Sequence, residues 1–130
     1  MNSPLRVSSI KTVLIVDDDE SSRLLLRFLE SKGYGILEAD SGNRAIEILQ
    51  TKSVDLIISD LEMPNGNGFE LLQKLHDRFP NPPPLIFISS REDLSETQLI
   101  GLGALRFFRK PFDREALLRA IEGVFVKIAA

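Results

Sequence analysis

The sequence contains no cysteine and no tryptophan, and it has only one tyrosine and one histidine in 130 residues. Without cysteine it can form no disulfide framework, no thiol nucleophile and no thiolate metal site. Its apolar runs are only a few residues long, whereas a membrane-spanning helix needs about 20 apolar residues. The first residues, Met1 to Pro4, also lack the apolar segment of a signal peptide. We therefore expect a cytoplasmic protein without a membrane segment.

Charge of either sign is not in large excess, because 16 Lys and Arg stand against 19 Asp and Glu, for a net charge of −3. A chain without a positive field has little attraction for a nucleic-acid backbone or for an anionic membrane surface. We therefore expect no direct binding to nucleic acid. The length and the 43% of apolar residues suit one folded domain. We expect that domain at residues 12–126, after a flexible leader (1–11) and before a C-terminal tail (127–130).

Short apolar runs alternate with segments in which apolar residues recur at helical spacing. Such alternation predicts an α/β fold, a doubly wound five-stranded parallel sheet with five helices, because five units are too few to close a barrel. The predicted strands are residues 13–16, 35–39, 54–59, 85–88 and 105–109, and the predicted helices are 21–32, 44–50, one opened by an Asn67–Glu70 capping box, one between 93 and 102, and one capped by Asp113.

Acidic residues follow two of the predicted strands directly. Asp17, Asp18 and Asp19 come after the first strand, and Asp60 comes after the third. Parallel strands end at one edge of their sheet, which is where such folds bind ligands. Two carboxylates about 4 Å apart repel each other by about 4 kcal/mol at an effective dielectric constant of about 20. The cluster therefore predicts a divalent cation, and hard oxygen ligands favour Mg²⁺.

Two more polar residues end strands at the same edge, Ser89 after the fourth strand and Lys110 after the fifth. Asp60 is the candidate nucleophile or phosphoryl acceptor, and the loop with Gly66 and Gly68 is expected to keep the backbone beside it open. Phosphoryl transfer needs a cation on the phosphoryl oxygens and further donors to neutralise their charge. Ser89 offers a hydroxyl group for this purpose, and Lys110 offers an ammonium group.

At these positions the chain resembles the receiver domain of two-component response regulators, a flavodoxin-like fold. The resemblance covers about residues 12–126 and rests on five motifs that occur in the expected order at strand ends. Ser89 and Asn67 depart from the commonest family pattern, where Thr and Asp are frequent, and the segment before Lys110 predicts a shortened fourth helix. The motifs are VDDD (16–19), SDLEMP (59–64), GFEL (68–71), ISS (88–90) and KPF (110–112).

The resemblance implies that Asp60 accepts a phosphoryl group from a histidine kinase or a phosphotransfer protein. It implies that Asp18, Asp60 and the backbone carbonyl of Glu62 bind Mg²⁺, with Asp17 helping directly or through water. Such a domain catalyses its own phosphorylation chemistry but is not an enzyme with a separate substrate. The sequence does not show whether the chain acts alone or belongs to a larger protein with an effector domain.

The resemblance also implies a switch. Ser89 would hydrogen-bond one phosphoryl oxygen, and Lys110 would pair with another. The peptide bond between Lys110 and Pro111 is expected to be cis. Phe107 matches the aromatic residue that turns inward in the active state, although plain core packing is an alternative role for it. The altered surface would then bind a downstream output partner.

Glu62 and Arg91 lie two residues after Asp60 and Ser89 respectively, on either side of the path by which water would reach the phosphorus. We expect these opposite charges to form a partial gate that tunes the lifetime of the phosphorylated state.

Two other functions fit parts of the sequence. One is a small phosphatase of the haloacid dehalogenase type, with Asp17 as nucleophile in an Asp-x-Asp motif. The other is a scaffold with a receiver fold that no longer switches. The short chain and the motifs around Pro64 and Pro111 favour the receiver over the phosphatase, and the intact acidic cluster disfavours the scaffold.

Overall fold

The structure, a computed structural model, describes residues 10–20, 22–65 and 67–129. None of the helices in these ranges is both long enough and apolar enough to cross a membrane. The strands are β1 (Thr12–Val16), β2 (Gly35–Ala39), β3 (Leu56–Asp60), β4 (Leu85–Ser89) and β5 (Arg106–Arg109), and the helices are α1 (Ser22–Ser31), α2 (Gly42–Thr51), α3 (Gly68–Arg78), α4 (Glu96–Gly101) and α5 (Arg114–Ala129).

All five strands form one parallel sheet in the order β2-β1-β3-β4-β5. This arrangement confirms the predicted doubly wound α/β fold. The chain runs from β1 outward to β2, then returns to β3 on the other side of β1. The crevice between the carboxyl ends of β1 and β3 is therefore the switch point at which this class of sheet binds its ligands.

Helices cover both faces of the sheet and form two cores. Successive strand residues enter opposite cores because side chains alternate across a strand. Each fully buried Leu, Ile or Phe contributes about 1.5–3 kcal/mol, so the two cores hold the strand ends in place. Helices α1 and α5 pack on Val13, Ile15, Ile58 and Ile88, whereas α2, α3 and α4 pack on Leu14, Ile57, Phe87 and Phe107.

Several predicted boundaries were wrong by one or two residues, and those of β3 and α2 matter most for the site. Strand β3 begins at Leu56 rather than at residue 54, and it includes Asp60, whose Cα pairs with that of Ile88. Asp60 is therefore held within the ladder instead of in the loop after it. Helix α2 begins at Gly42 rather than at residue 44, because Ser41 caps it by accepting the backbone N–H of Arg44 at 3.1 Å.

Helices α4 and α5 can be compared with the predicted short fourth helix and the predicted C-terminal tail. Helix α4 has only six residues, which confirms the predicted shortening, and Ser95 and Gln98 form a capping box at its start. The Asp113 carboxylate accepts the backbone N–H of Glu115 at 2.9 Å, as expected of a cap. Helix α5 continues through Ala129, so most of the predicted tail is helical instead. The predicted leader falls mostly on residues 1–9, which lie outside the described residues.

Candidate functional site

The sheet brings the predicted site residues to one edge. Asp17 follows β1, Asp60 ends β3, Ser89 ends β4 and Lys110 follows β5, and these four strands are neighbours in the sheet. The backbone N–H of Lys110 donates to the carbonyl of Ser89 at 2.8 Å, which extends the β4–β5 ladder to the site. The peptide bond from Lys110 to Pro111 is cis, as predicted.

Lys110 joins the two ends of the acidic crevice. Its Nζ lies 3.0 Å from Oδ2 of Asp60 and 4.0 Å from Oδ2 of Asp17. The side chain of Asp17 is 2% exposed and that of Asp60 is 12% exposed, whereas that of Lys110 is 29% exposed. Lys110 is thus the most accessible of these three side chains, and its ammonium group contacts the carboxylate that we expect to react.

Burial and neighbouring charges shift the pKa values of Asp17 and Lys110 for different reasons. Burial raises the pKa of Asp17, and the backbone N–H of Asp19 and the charge of Lys110 offset this only in part. Burial alone lowers the pKa of Lys110, but the hydrogen bond to Asp60 and the nearby acidic charges outweigh it, so the pKa of Lys110 is raised. Lys110 therefore stays protonated.

Backbone amides hold the carboxylates in place. The N–H of Asp19 donates to Oδ1 of Asp17 at 2.9 Å, and the N–H of Glu62 donates to Oδ1 of Asp60 at 3.2 Å. Asp18 lies on the same loop as Asp17 and is exposed. Among the described residues, no three His, Cys, Asp or Glu side chains are grouped as metal ligands. The structure therefore gathers Asp17 and Asp60 around Lys110 but leaves Asp18 at the rim.

Ser89 is 1% exposed at the end of β4. Its Oγ accepts the backbone N–H of Arg91 at 3.1 Å, so the hydroxyl oxygen is tied to the start of the loop that leads to α4. Its proton can still be donated to another group. The residue thus connects the site to the β4–α4 loop (residues 90–95).

Glu62 and Arg91 form the predicted ion pair. Oε1 of Glu62 lies 3.1 Å from NH1 of Arg91. Arg91 also binds Asp93 with two hydrogen bonds, at 3.0 Å and 2.6 Å. The side chain of Glu62 is 62% exposed, so this group is a surface network on the rim of the site.

Gly68 is a site residue whose role the sequence did not indicate correctly. We expected Gly66 and Gly68 to keep the backbone near Asp60 open, but Gly68 packs directly against it, and Gly66 lies outside the described residues. A Cβ at position 68 would lie 2.7 Å from the carbonyl oxygen of Asp60 and 2.8 Å from the Phe87 ring. The glycine is visible in the GFEL motif, but its close contact with Asp60 and Phe87 joins segments that are distant in the sequence.

Phe107 is a core residue in this structure. It is 8% exposed and packs in the core beneath α2, α3 and α4. Phe108 points to the opposite face and contacts Phe112, with ring centroids 6.2 Å apart. Packing alone accounts for the position of Phe107, so its role as a switch remains a prediction.

Comparison with known proteins agrees with this geometry. The response regulator receiver domain model matches residues 13–122. Response regulator GtcR of Aneurinibacillus migulanus is 38% identical over 104 residues, which are 79% of this chain and 43% of that protein. Transcriptional regulatory protein GlrR of Escherichia coli (strain K12) is 33% identical over 111 residues, which are 85% of this chain and 25% of that protein. The chain thus spans less than half the length of these curated relatives.

Solved structures show the same fold. The chemotaxis response regulator CheY4 of Vibrio cholerae is 29% identical, with a TM-score of 0.75 over 88% of this chain and 98% of that chain. The receiver domain of Francisella response regulator 1452 is 25% identical, with a TM-score of 0.83 over 91% of this chain and 98% of that chain. The matched sequence, the sheet order and the acidic crevice with its lysine lead to one assignment: this chain belongs to the family of two-component response regulator receiver domains.

Proposed function

We propose that Asp60 is the phosphoryl acceptor of this receiver domain. The observation that carries the proposal is the 3.0 Å contact between Lys110 Nζ and Asp60 Oδ2 at the switch point of the sheet. It supports a reactive role for Asp60 because the protonated ammonium group of Lys110 is already placed to neutralise charge on a phosphoryl group attached to that carboxylate. Asp17 supplies a second negative charge that holds Lys110 in the crevice after Asp60 has been modified.

In the proposed reaction a carboxylate oxygen of Asp60 forms a bond to the phosphorus of the donor. The bond from phosphorus to the donor's imidazole nitrogen breaks, and its electron pair stays on that nitrogen. Lys110 moves its hydrogen bond from Asp60 to a phosphoryl oxygen, and the Ser89 hydroxyl donates to another. Charge that develops on the phosphoryl oxygens is thus met by donors already placed beside it.

Mg²⁺ is the ion that fits the oxygen groups of the crevice. It binds through one or two carboxylates and keeps several waters, so it needs no cluster of three acidic side chains. Asp18, Asp60 and the backbone carbonyl of Glu62 would hold it, with Asp17 acting directly or through water. When bound, it neutralises charge on the phosphoryl oxygens.

The proposed donor is a histidine kinase or a phosphotransfer protein. A groove with a volume of about 500 Å³ lies beside Asp17 and Lys110, and its walls include Leu25, Ile88 and Phe112. Leu24 at its rim is 68% exposed. An apolar groove next to the acceptor supports docking of a protein donor, because a small phosphate compound needs no such surface.

The output is proposed to be a partner protein or an effector domain, since the curated relatives extend well beyond the matched region. We further propose a cytoplasmic location, a folded unit that begins at residue 12 and extends to the end of α5, and no catalytic activity toward a separate substrate.

A phosphatase that uses Asp17 as nucleophile is disfavoured, because that side chain is 2% exposed and already accepts the N–H of Asp19.

Labelling with a small acyl phosphate tests the acceptor. Intact mass spectrometry should show one added phosphoryl group in the presence of Mg²⁺ and none after EDTA treatment. Asp60→Asn should abolish labelling, whereas Asp77→Asn, an exposed change on α3, should leave it unchanged. Labelling of Asp60→Asn at the wild-type rate would overturn the assignment, and a phosphoryl group found on Asp17 would favour the phosphatase.

A further inference from the structure

Arg109 links the edge strand β5 to the β4–α4 loop. Its Nε donates to the backbone carbonyl of Arg91 at 3.0 Å, and its NH2 donates to the carbonyl of Leu94. The Cα of Arg109 pairs with that of Ser89 in the β4–β5 ladder. The guanidinium group therefore ties two points of the loop to a fixed position on the sheet, directly opposite Ser89.

The same side chain lies on Phe107. Residues two apart on a strand share one face, and the guanidinium carbon of Arg109 is 5.5 Å from the centroid of the Phe107 ring. Contact of a guanidinium group with an aromatic face is attractive. A cavity of about 430 Å³, lined in part by Leu94, Glu96, Phe107 and Arg109, adjoins the ring. Arg109 and Phe107 thus contact each other and line the same cavity.

One loop residue, Arg91, completes the connection to the site. The N–H of Arg91 donates to Oγ of Ser89, and the following carbonyl of Arg91 accepts from Arg109. A continuous series of contacts therefore runs from Ser89 through the backbone of Arg91 to Arg109, and from Arg109 to the ring of Phe107. If the Ser89 side chain moves toward a phosphoryl oxygen, the N–H of Arg91 must follow its Oγ or lose that hydrogen bond.

We propose that Arg109 is a positioning residue that couples the β4–α4 loop to the inward position of Phe107. It touches neither the acceptor nor the phosphoryl group, and it acts by holding the loop and the ring together. The cross-link itself does not depend on phosphorylation, but its meaning as a coupling element rests on the proposed function of Asp60.

The first experiment measures the cross-link in the unphosphorylated protein. The rings of the eight phenylalanines are labelled with ¹³C, and Phe107 is identified as the signal missing from Phe107→Leu. A soluble gadolinium complex broadens signals of solvent-accessible groups. In Arg109→Gln the Phe107 signal should broaden more than in the wild type. Arg109→Lys, which keeps the charge but lacks the planar fork of donors of the guanidinium group, should also broaden it.

Arg44→Gln is the matched control, because Arg44 is an exposed arginine on α2 whose guanidinium group pairs with Glu47. It should leave the Phe107 signal at its wild-type width. Equal broadening of that signal in the wild type and in Arg109→Gln would overturn the proposal, and full retention of the wild-type width in Arg109→Lys would show that charge rather than bridging is responsible.

The second experiment titrates the protein with beryllofluoride and Mg²⁺. In the wild type, the amide signals of the β4–α4 loop and the ring signal of Phe107 should shift together. In Arg109→Gln the loop should still respond while the ring response is lost, and an unchanged ring response would overturn the coupling. If the wild type binds no beryllofluoride, the proposed function fails, and the gadolinium measurement still decides whether Arg109 holds the ring.

Discussion

At the scale of single residues, the site keeps charges where burial opposes them. Asp17 is almost fully shielded from water, and burial raises its pKa, yet it stays beside a second carboxylate and one lysine. Such an arrangement costs stability and is retained where the chemistry needs it. The functional residues should therefore include positions at which a neutral substitution stabilises the fold.

Asp17→Asn should stabilise the protein by about 0.5–2 kcal/mol at neutral pH. The amide removes the cost of burying a charge and the repulsion from Asp60, and its oxygen can still accept the N–H of Asp19. Urea denaturation measures the difference in the free energy of unfolding. Asp77→Asn, on an exposed surface, is the control and should have little effect. A loss of stability in Asp17→Asn would contradict this account.

The stabilisation by Asp17→Asn should depend on pH. A carboxyl group with a raised pKa in the folded state holds its proton more tightly there than in the unfolded state, so its ionisation destabilises the fold. The difference between the variant and the wild type should be small below the ordinary pKa of 3.8 and should grow as the pH rises above it. It should level off once Asp17 is ionised in the folded protein. A difference that shrinks over this range would disprove the assigned cause.

Neutralising Glu62 and Arg91 together, as Glu62→Gln with Arg91→Gln, should shorten the lifetime of the phosphorylated state. An exposed ion pair is worth about 0–1 kcal/mol, so hydrolysis should accelerate by about fivefold at most. The rate is measured by mass spectrometry after the phosphodonor has been removed.

The matched control for this prediction is the pair of Arg44 and Glu47, which has the same 3.1 Å separation but lies on α2. Neutralising that pair should leave the hydrolysis rate unchanged. The gate does not exist if both double variants lose phosphate at the wild-type rate.

At the scale of elements, the site depends on how closely α3 approaches β3. The backbone N–H of Gly68 donates to the carbonyl of Leu61 at 3.0 Å, and the Asn67–Glu70 capping box begins the helix at that point. The start of α3 thus supports the strand end that carries Asp60. The fit leaves no room for a side chain at the first residue of the helix.

Gly68→Ala should destabilise the protein by about 1–3 kcal/mol, because the added methyl group meets backbone atoms that cannot rotate away. Labelling of Asp60 should also slow, since its carbonyl is one of those atoms. Gly123→Ala on α5 is the control: a Cβ there meets nothing within 4 Å, and alanine favours a helix by up to about 1 kcal/mol. Equal effects of the two changes on stability would refute the close-packing argument.

The short helix α4 is attached to β5 by one carboxylate. Oε2 of Glu96 accepts the backbone N–H of Phe107 at 3.0 Å and the Nε of Arg106 at 2.7 Å. The hydrogen bond from Phe107 and that from Arg106 lower the pKa of Glu96, in that order of effect. A helix of six residues has little stability of its own. The position of α4 therefore depends on β5, and a change at Phe107 can reach it directly.

At the scale of the whole molecule, the sheet has a buried centre and an exposed edge at β5. The central strands β1, β3 and β4 are fully or almost fully buried, whereas β5 is an edge strand with exposed residues. Under the proposed function, a phosphoryl group on Asp60 can shift the balance between conformations of β5 and α4 only by interacting more favourably with one of them. For such coupling we expect about 1–3 kcal/mol.

Replacing Phe107 should separate phosphorylation from output. Phe107→Leu and Phe107→Ala should still be labelled at Asp60 but should lose most of the phosphorylation-dependent chemical shift changes in residues 91–108. Phe107→Ala leaves a cavity that costs about 3–5 kcal/mol in a core and could unfold the protein. Phe107→Leu keeps most of the apolar volume, so it tests the ring in a folded variant. A full response in Phe107→Leu would mean that the ring is only core packing.

The sequence by itself determined the alternation of strands and helices, the parallel sheet and the polar residues at its edge. It could do so because a strand buried on both faces must be apolar, and because a polar residue at its end stands out. Asp17, Asp60, Ser89 and Lys110 were found in this way. Local signals such as the Asn67–Glu70 capping box were equally readable, since they involve residues only three apart.

Only the tertiary structure decided which of these residues touch. The pairing of Lys110 with Asp60 joins positions 50 residues apart, and the contact of Gly68 with Asp60 depends on the approach of a helix to a strand. Arg109 is the clearest example of a contact that the sequence does not show, because an arginine at the end of an edge strand is expected to be only an exposed charge. Its two carbonyl partners and the ring beneath it come together only when β5 pairs with β4, since distances between remote segments are set by packing and not by local sequence.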